Sequence, residues 1–253
     1  MKTTPVGHGS GVFDHVTIRA SDPGASKRFY ETVLSTLGIE PTASDEPYDE
    51  WDDFSIGDAE DKTRVTRRLH VAFPAPSREH VDRFWQAGVE AGYRDDGTPG
   101  PRPQYGDDYY GGFLLDPDGN SAEAVHYSEA LREDGVVDHL WIRVADVAEA
   151  KRFYEHVAPF GGFRLNHDSP ERAQFVGGTG SFSLVAGEPT ENVHIAFPAS
   201  ENATVDEFHA ALVGTGYRDY GGPGERPVYH PGYYGAFILD PDGNNIEVVC
   251  HNR

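Results

Sequence analysis

The chain repeats itself in a single register. DHVTIRASDPGASKRFYETV, starting at Asp14, returns 124 positions later as DHLWIRVADVAEAKRFYEHV from Asp138. LHVAFPA from Leu69 returns as VHIAFPA from Val193 at the same offset, and GGFLLDPDGNSAEAVHY from Gly111 as GAFILDPDGNNIEVVCH from Gly235. Matches at one spacing along nearly the whole chain mean a duplicated domain of about 120 residues, not one large fold. The boundaries expected are a tail over 1–12, a first domain over 13–128, a linker over 129–136 and a second domain over 137–253. The polar stretch EALREDG supplies the linker.

Each copy reads as strand, helix, strands, then strand, helix, strands. His15, Thr17 and Arg19 alternate with Val16 and Ile18, the period of a half-buried strand. Ser21 or Asp22 can cap a helix whose stripe is Phe29, Tyr30, Val33, Leu34 and Leu37. The acidic run YDEWDDFSIGDAED predicts poorly formed middle strands in the first copy, whereas AQFVGG and SFSLVAG read as clean strands in the second. Ser77 opens a further helix, and Thr204 with Glu207 forms a capping-box pattern in its counterpart. FLLDPDGNSAEAV and FILDPDGNNIEVV are strand pairs joined by an Asp-Pro-Asp-Gly turn, in which Pro and Gly take the restricted turn positions.

Composition narrows the partners. An apolar content of 38% supports a packed core, and a formal charge of −21 repels phosphate backbones and anionic membranes, so neither nucleic acid nor membrane is expected. The opening MKTTPVGHGSG has no apolar stretch of the kind that begins a signal peptide, and Cys250, alone, cannot form an internal disulfide. A cytoplasmic protein acting on a small molecule is the expectation.

Three polar residues per copy sit on predicted strands at chemically useful places: His15, His70 and Glu123, then His139, His194 and Glu247. Two imidazoles and one carboxylate hold a divalent ion on one side and leave positions for water and a bidentate substrate. Grouped by copy they make two triads, with as many as two ions per chain. Whether the first-strand histidine serves its own copy or the other is left open by the sequence. Fe(II), Mn(II), Ni(II), Co(II) and Zn(II) all suit such a set.

DHV-x-I-R, HIAFPA and FILDPDGNNIEVV together resemble the vicinal oxygen chelate superfamily of glyoxalases, bleomycin-resistance proteins, fosfomycin-resistance enzymes and type I extradiol dioxygenases. The resemblance covers both copies almost end to end. It implies an α+β fold of two tandem glyoxalase-type domains, each a pair of βαβββ units forming a curled, cup-shaped mixed sheet. It also implies metal ligands on the first, fifth and eighth strands, which are the six residues above. Single-copy relatives pair two chains, so the tandem implies an intramolecular pseudo-dimer, with a homodimer of whole chains left open.

For the reaction, HPGYYGAFILDPDGNNIE (His230–Glu247) resembles the extradiol dioxygenase signature, with His230 at the acid–base position and Tyr234 as a further catalytic candidate. The signature's tyrosine is Phe237 here, and the first copy has Gly106 in place of His230. Trp141, Arg143, Tyr229 and Tyr233 are candidates for contacting the substrate, and Arg19 shares Arg143's place on the first strand. A dioxygenase-like enzyme is the leading expectation. Glyoxalase, lyase or transferase chemistry on the same metal is the alternative, although only Glu188 lies near the place of glyoxalase I's fourth, acidic ligand. A drug- or metabolite-binding resistance protein without catalysis is the third reading.

Overall fold

The computed structural model describes residues 11–42, 48–128 and 134–252. Residues 1–10 of the expected tail and 129–133 of the expected linker lie outside them. The first repeat runs β1 (His15–Ala20), α1 (Pro23–Leu34), β2 (Tyr48–Trp51), β3 (Phe54–Asp58), β4 (His70–Pro74), α2 (Arg78–Glu90), β5 (Arg94–Pro101), β6 (Tyr110–Leu115) and β7 (Ser121–His126). The second runs β8 (His139–Val144), α3 (Val147–Gly161), β9 (Arg164–Ser169), β10 (Arg172–Val176), β11 (Ser181–Ala186), β12 (His194–Pro198), α4 (Asn202–Gly214), β13 (Arg218–Glu225), β14 (Tyr234–Leu239) and β15 (Asn245–Cys250). Between its first helix and β4 the first repeat has two strands among the described residues, where the second has three.

Local chemistry sets the helix starts. Asp22 caps α1 by accepting from Ala25 N, and Asp146 caps α3 by accepting from Ala148 N and Glu149 N. The capping box expected at Thr204 does not form: α4 begins earlier, at Asn202, with Glu201 at its N-cap. No proline or glycine between Ser200 and Thr204 holds the chain out of helix. The Asp-Pro-Asp-Gly turns are hairpins as expected, closed by Asp116 accepting from Asp118 N and Asn120 N and by Asp240 doing the same in the second repeat.

The strands form two open sheets, ordered β13-β14-β15-β12-β1-β3-β2 and β5-β6-β7-β4-β8-β11-β10-β9. Their seams join the repeats. β1 runs antiparallel to β12, with Thr17 opposite His194, and β4 runs antiparallel to β8, with His70 opposite Trp141. Each curled sheet therefore combines one βαβ-type unit from each repeat. We call the seven-stranded sheet cup A and the eight-stranded sheet cup B.

The apolar packing of each repeat joins into one core, with Phe13 of the first 6.3 Å from Phe182 and from Phe197 of the second. Tyr30 of α1 meets Phe54 with centroids 4.8 Å apart, and Phe54 meets Phe73 of β4 at 5.2 Å. In the second repeat Tyr154 meets Phe182 at 5.1 Å, and Phe163 meets Phe197 of β12 at 4.6 Å. Alternation on each strand sends one set of side chains to this core and the other into a cup. On β1, Val16 and Ile18 are buried against the core. Buried Asp53 ties the repeats together, accepting from Val136 N at 2.6 Å and Val137 N at 3.0 Å.

Candidate metal centres

The sheet seams regroup the six candidate ligands. His15 of β1 joins His194 of β12 and Glu247 of β15 in cup A, while His139 of β8 joins His70 of β4 and Glu123 of β7 in cup B. The question the sequence left open is thus answered by geometry: each first-strand histidine lies with the other repeat's pair. The reason lies in the strand pairing, since β1 hydrogen-bonds to β12 and not to β4.

Donor atoms converge in both cups. In cup A the Nε2 atoms of His15 and His194 are 3.0 Å apart, and Glu247 Oε2 lies 3.1 Å from His194 Nε2 and 3.7 Å from His15 Nε2. In cup B, Glu123 Oε2 is 2.9 Å from His70 Nε2 and 3.5 Å from His139 Nε2. An ion with bonds of about 2.1 Å places neighbouring donors about 3.0–3.4 Å apart, so both sets fit a divalent cation.

The surroundings orient these donors as metal ligands are oriented. Nδ1 of His15 bonds Asp14 at 2.8 Å, and Nδ1 of His139 bonds Asp138 at 2.7 Å. That directs each Nε2 into the cup. Tyr233 OH donates to Glu247 Oε1, and Tyr109 OH to Glu123 Oε1, each at 2.8 Å. A Cβ added at Gly235 or Gly111 would collide with the same carboxylate oxygen, so both glycines make room for the ligand.

Electrostatics without a cation show how strongly each set holds charge. Burial pushes the Glu123 carboxyl up, but hydrogen bonds from His139 and His70 outweigh it and hold it down at about 2. Burial pushes His139 down, but Asp138 and Glu123 raise it to about 9. His15 is likewise raised by Asp14 and Glu247 against its burial, whereas burial and the neighbouring His15 lower His194.

Beyond the donors the cups differ. In cup A a hydrogen-bonded chain runs outward from Asp14 to His251 and on to His230, each link 2.8 Å. In cup B, Tyr127 stands in the place of His251 and donates to Asp138 at 2.7 Å. A cavity of about 280 Å³ opens beside His139 in cup B, lined among others by Trp141, Arg172, Gln174, Tyr105 and Tyr109. Arg172 lies over the Trp141 ring, 5.4 Å from its centroid.

The remaining candidates divide between the cups. Trp141 lines the cup B cavity with His139, and Arg143, also in cup B, donates to Arg68 O. Tyr233 reaches Glu247 in cup A, and Tyr229 packs on it with centroids 4.8 Å apart. His230 is committed through both ring nitrogens, to His251 and to Pro231 O. Tyr234 is not brought to either triad: its hydroxyl donates to Asp206 on the exposed side of α4.

Sequence reading missed Arg172 and Gln174, although RAQFV alternates and sets both opposite the buried Ala173 and Phe175. It also missed Glu50, whose charge acts on His15 in cup A; Gln174 takes that place in cup B. Glu188 is instead exposed and paired with Arg68 at 3.3 Å.

Paired, curled mixed sheets, each with two histidines and a glutamate converging at its centre, define a class of metal-site architecture. Residues 12–124 and 136–248 each match the Glyoxalase/Bleomycin resistance protein/Dioxygenase superfamily, and the chain belongs to that family. Among solved structures it is similar to glyoxalase I from Zea mays, with 19% identity over 94% of this chain and 92% of that one and a TM-score of 0.68. It is also similar to a Bacillus subtilis protein provisionally called a dioxygenase, with 13% identity over 96% of this chain and 86% of that one and a TM-score of 0.64. At these identities the likeness is one of fold. No curated protein matches the chain.

Proposed function

We propose that this protein is a divalent-metal-dependent enzyme acting on a small molecule with two adjacent oxygen donors. The observation that carries this reading is the pair of convergent donor sets, each with a first-strand histidine held by a buried or half-buried aspartate. A bound divalent ion supplies positive charge to an oxyanion forming on the substrate. The ligands occupy one side of such an ion and leave the cup free. Arg172 offers a cation over Trp141 for an anionic or aromatic substrate in cup B.

Proton-transfer chemistry of the glyoxalase or lyase kind is favoured over oxygen insertion. His230, the acid–base residue on which a dioxygenase relies, uses both ring nitrogens elsewhere, and Phe237 has no hydroxyl to donate. Glu50, facing His15, is a carboxylate placed to take a proton from carbon beside the chelated oxygens. Metal content of the purified protein, together with assays on 2-oxoaldehyde–thiol adducts and on catechols with an oxygen electrode, tests this. Bound metal with turnover of the adducts supports it; oxygen uptake with catechols restores the dioxygenase reading. Absence of bound metal after reconstitution overturns it and leaves sequestration of a ligand in the aromatic cup B cavity.

A further inference from the structure

A second cavity, of about 200 Å³, lies beside His194 in cup A and is walled by Arg19, Arg64, Arg218, Asn192, Tyr220 and Asn245. Three guanidinium groups line it and no carboxylate does, in a chain whose formal charge is −21. Their own partners compensate this charge only in part. Arg19 donates to a backbone carbonyl, Asp58 O, at 3.2 Å, and Arg64 has an exposed pairing with Glu60 at 3.8 Å and acts on the Asp61 carboxylate. Arg218 has no ion-pair partner among the described residues.

The inner wall keeps unused polar capacity. His194 Nδ1 and Asn245 Oδ1 are both buried without a hydrogen-bond partner among the described residues. The corresponding pair in cup B, His70 Nδ1 and Ser121 Oγ, bond each other at 3.1 Å.

Cup B serves as an internal control, because the duplication gives most wall positions a counterpart. Arg19 becomes Arg143, Arg218 becomes Arg94, Asn192 is matched by Arg68 and Tyr220 by Asp96; Arg64 lies in a connection, 60–65, that the second repeat shortens to Glu188 and Pro189. There Arg68 is neutralised by Glu188 at 3.3 Å and Glu191 at 2.5 Å. The duplication has thus placed acids, Glu188 and Asp96, among the counterpart positions of one wall, while no carboxylate lines the other. Guanidinium forks held without acids match the oxygens of carboxylate and phosphoryl groups.

We propose that this cavity is an oxyanion-binding subsite that takes the carboxylate or phosphoryl end of the molecule served by cup A. Resting on the metal-enzyme reading above, it specifies the substrate class: adjacent oxygens at one end and an anion at the other. Arg19 stands two strand residues beyond Thr17, the residue paired with His194, so the two ends are about 7 Å apart. Cup B carries its own cation, Arg172, over Trp141, and would take a differently placed charge.

The test uses the full chain freed of metal with a chelator, so its outcome does not depend on metal binding. Calorimetric titrations with inorganic phosphate and with acetate at low, constant ionic strength read the subsite directly. One of the two anions is expected to bind, and the preferred one identifies the substrate's charged end. Arg64→Gln, at an exposed position, and Arg19→Gln with Arg218→Gln should weaken that binding by about tenfold or more. Arg94→Gln with Arg143→Gln in cup B should leave it unchanged. Failure of both anions to bind overturns the proposal, as does equal loss from the cup A and cup B variants. Unchanged circular dichroism and melting temperature of Arg64→Gln keep a folding defect from imitating the result.

Discussion

The Nε2 atoms of His15 and His194 lie 3.0 Å apart although 179 residues separate them in the chain. Neither belongs to the repeat of the other, so each candidate metal centre is assembled across the duplication. Paired variants follow from this. His15→Ala with His194→Ala removes two ligands of one cup and should leave about one ion per chain, in cup B. His15→Ala with His70→Ala damages both cups and should leave neither centre intact. Elemental analysis that finds no ion in the first variant and one in the second would return the triads to their own repeats.

Tyr233 holds the second oxygen of Glu247, so that carboxylate is aimed by a hydroxyl as well as by the strand. Burial and the neighbouring carboxylate push the Tyr233 hydroxyl well above its ordinary pKa, which keeps it a donor. Tyr233→Phe should lower metal affinity in cup A by about tenfold or more while leaving the fold unchanged. Competition against a chromophoric chelator measures it, with Tyr109→Phe as the equivalent in cup B. An affinity equal to that of the parent protein would remove the tyrosine from the centre.

The charges of cup B give the metal-free protein a pH signature. His139 is raised to about 9, so its contribution is complete below the unfolded value of 6.5 and is lost as pH rises through about 9. Glu123 is held down to about 2, so its contribution is complete above 4.5 and is lost as pH falls through about 2. The chelated protein should therefore lose roughly 3 kcal/mol or less of stability between pH 6.5 and 9.5 from His139. Bound metal displaces the imidazole proton and should abolish that loss. Thermal melts across this range, with chelator and with Zn(II), check it; a flat profile with chelator would contradict the charged pair.

Asp53 satisfies two backbone N–H groups where the second repeat begins. Asp53→Ala leaves those of Val136 and Val137 without this acceptor and should cost about 1–3 kcal/mol. The midpoint of urea unfolding reads the cost, and an unchanged midpoint would show that water replaces the carboxylate without penalty.

Much of this protein was legible one segment at a time. The alternation of β1 and the Asp-Pro-Asp-Gly hairpins are consequences of neighbouring residues, and so is the placing of six ligand candidates on strands. Errors arose where neighbours do not decide. Tyr233, just before β14, and Tyr234, its first residue, are adjacent and go to different partners. Tyr233 shares its parity with Gly235 and Phe237, and that is the signal that sends it to Glu247 while Tyr234 goes to Asp206. Glu50 and Arg172 sit on middle strands whose depth in a cup depends on how the sheet curls.

The sequence by itself determined the duplication, the family, the order of elements and the identity of the donors, because each is written in local pattern and in its repetition. Only the tertiary structure decided which donors meet. β1 carries the same pattern of alternation whichever repeat it pairs with, and β4 and β12 are near copies, so no local feature tells one partner from the other. The choice falls to long-range packing, in which the sheet seams cross between the repeats.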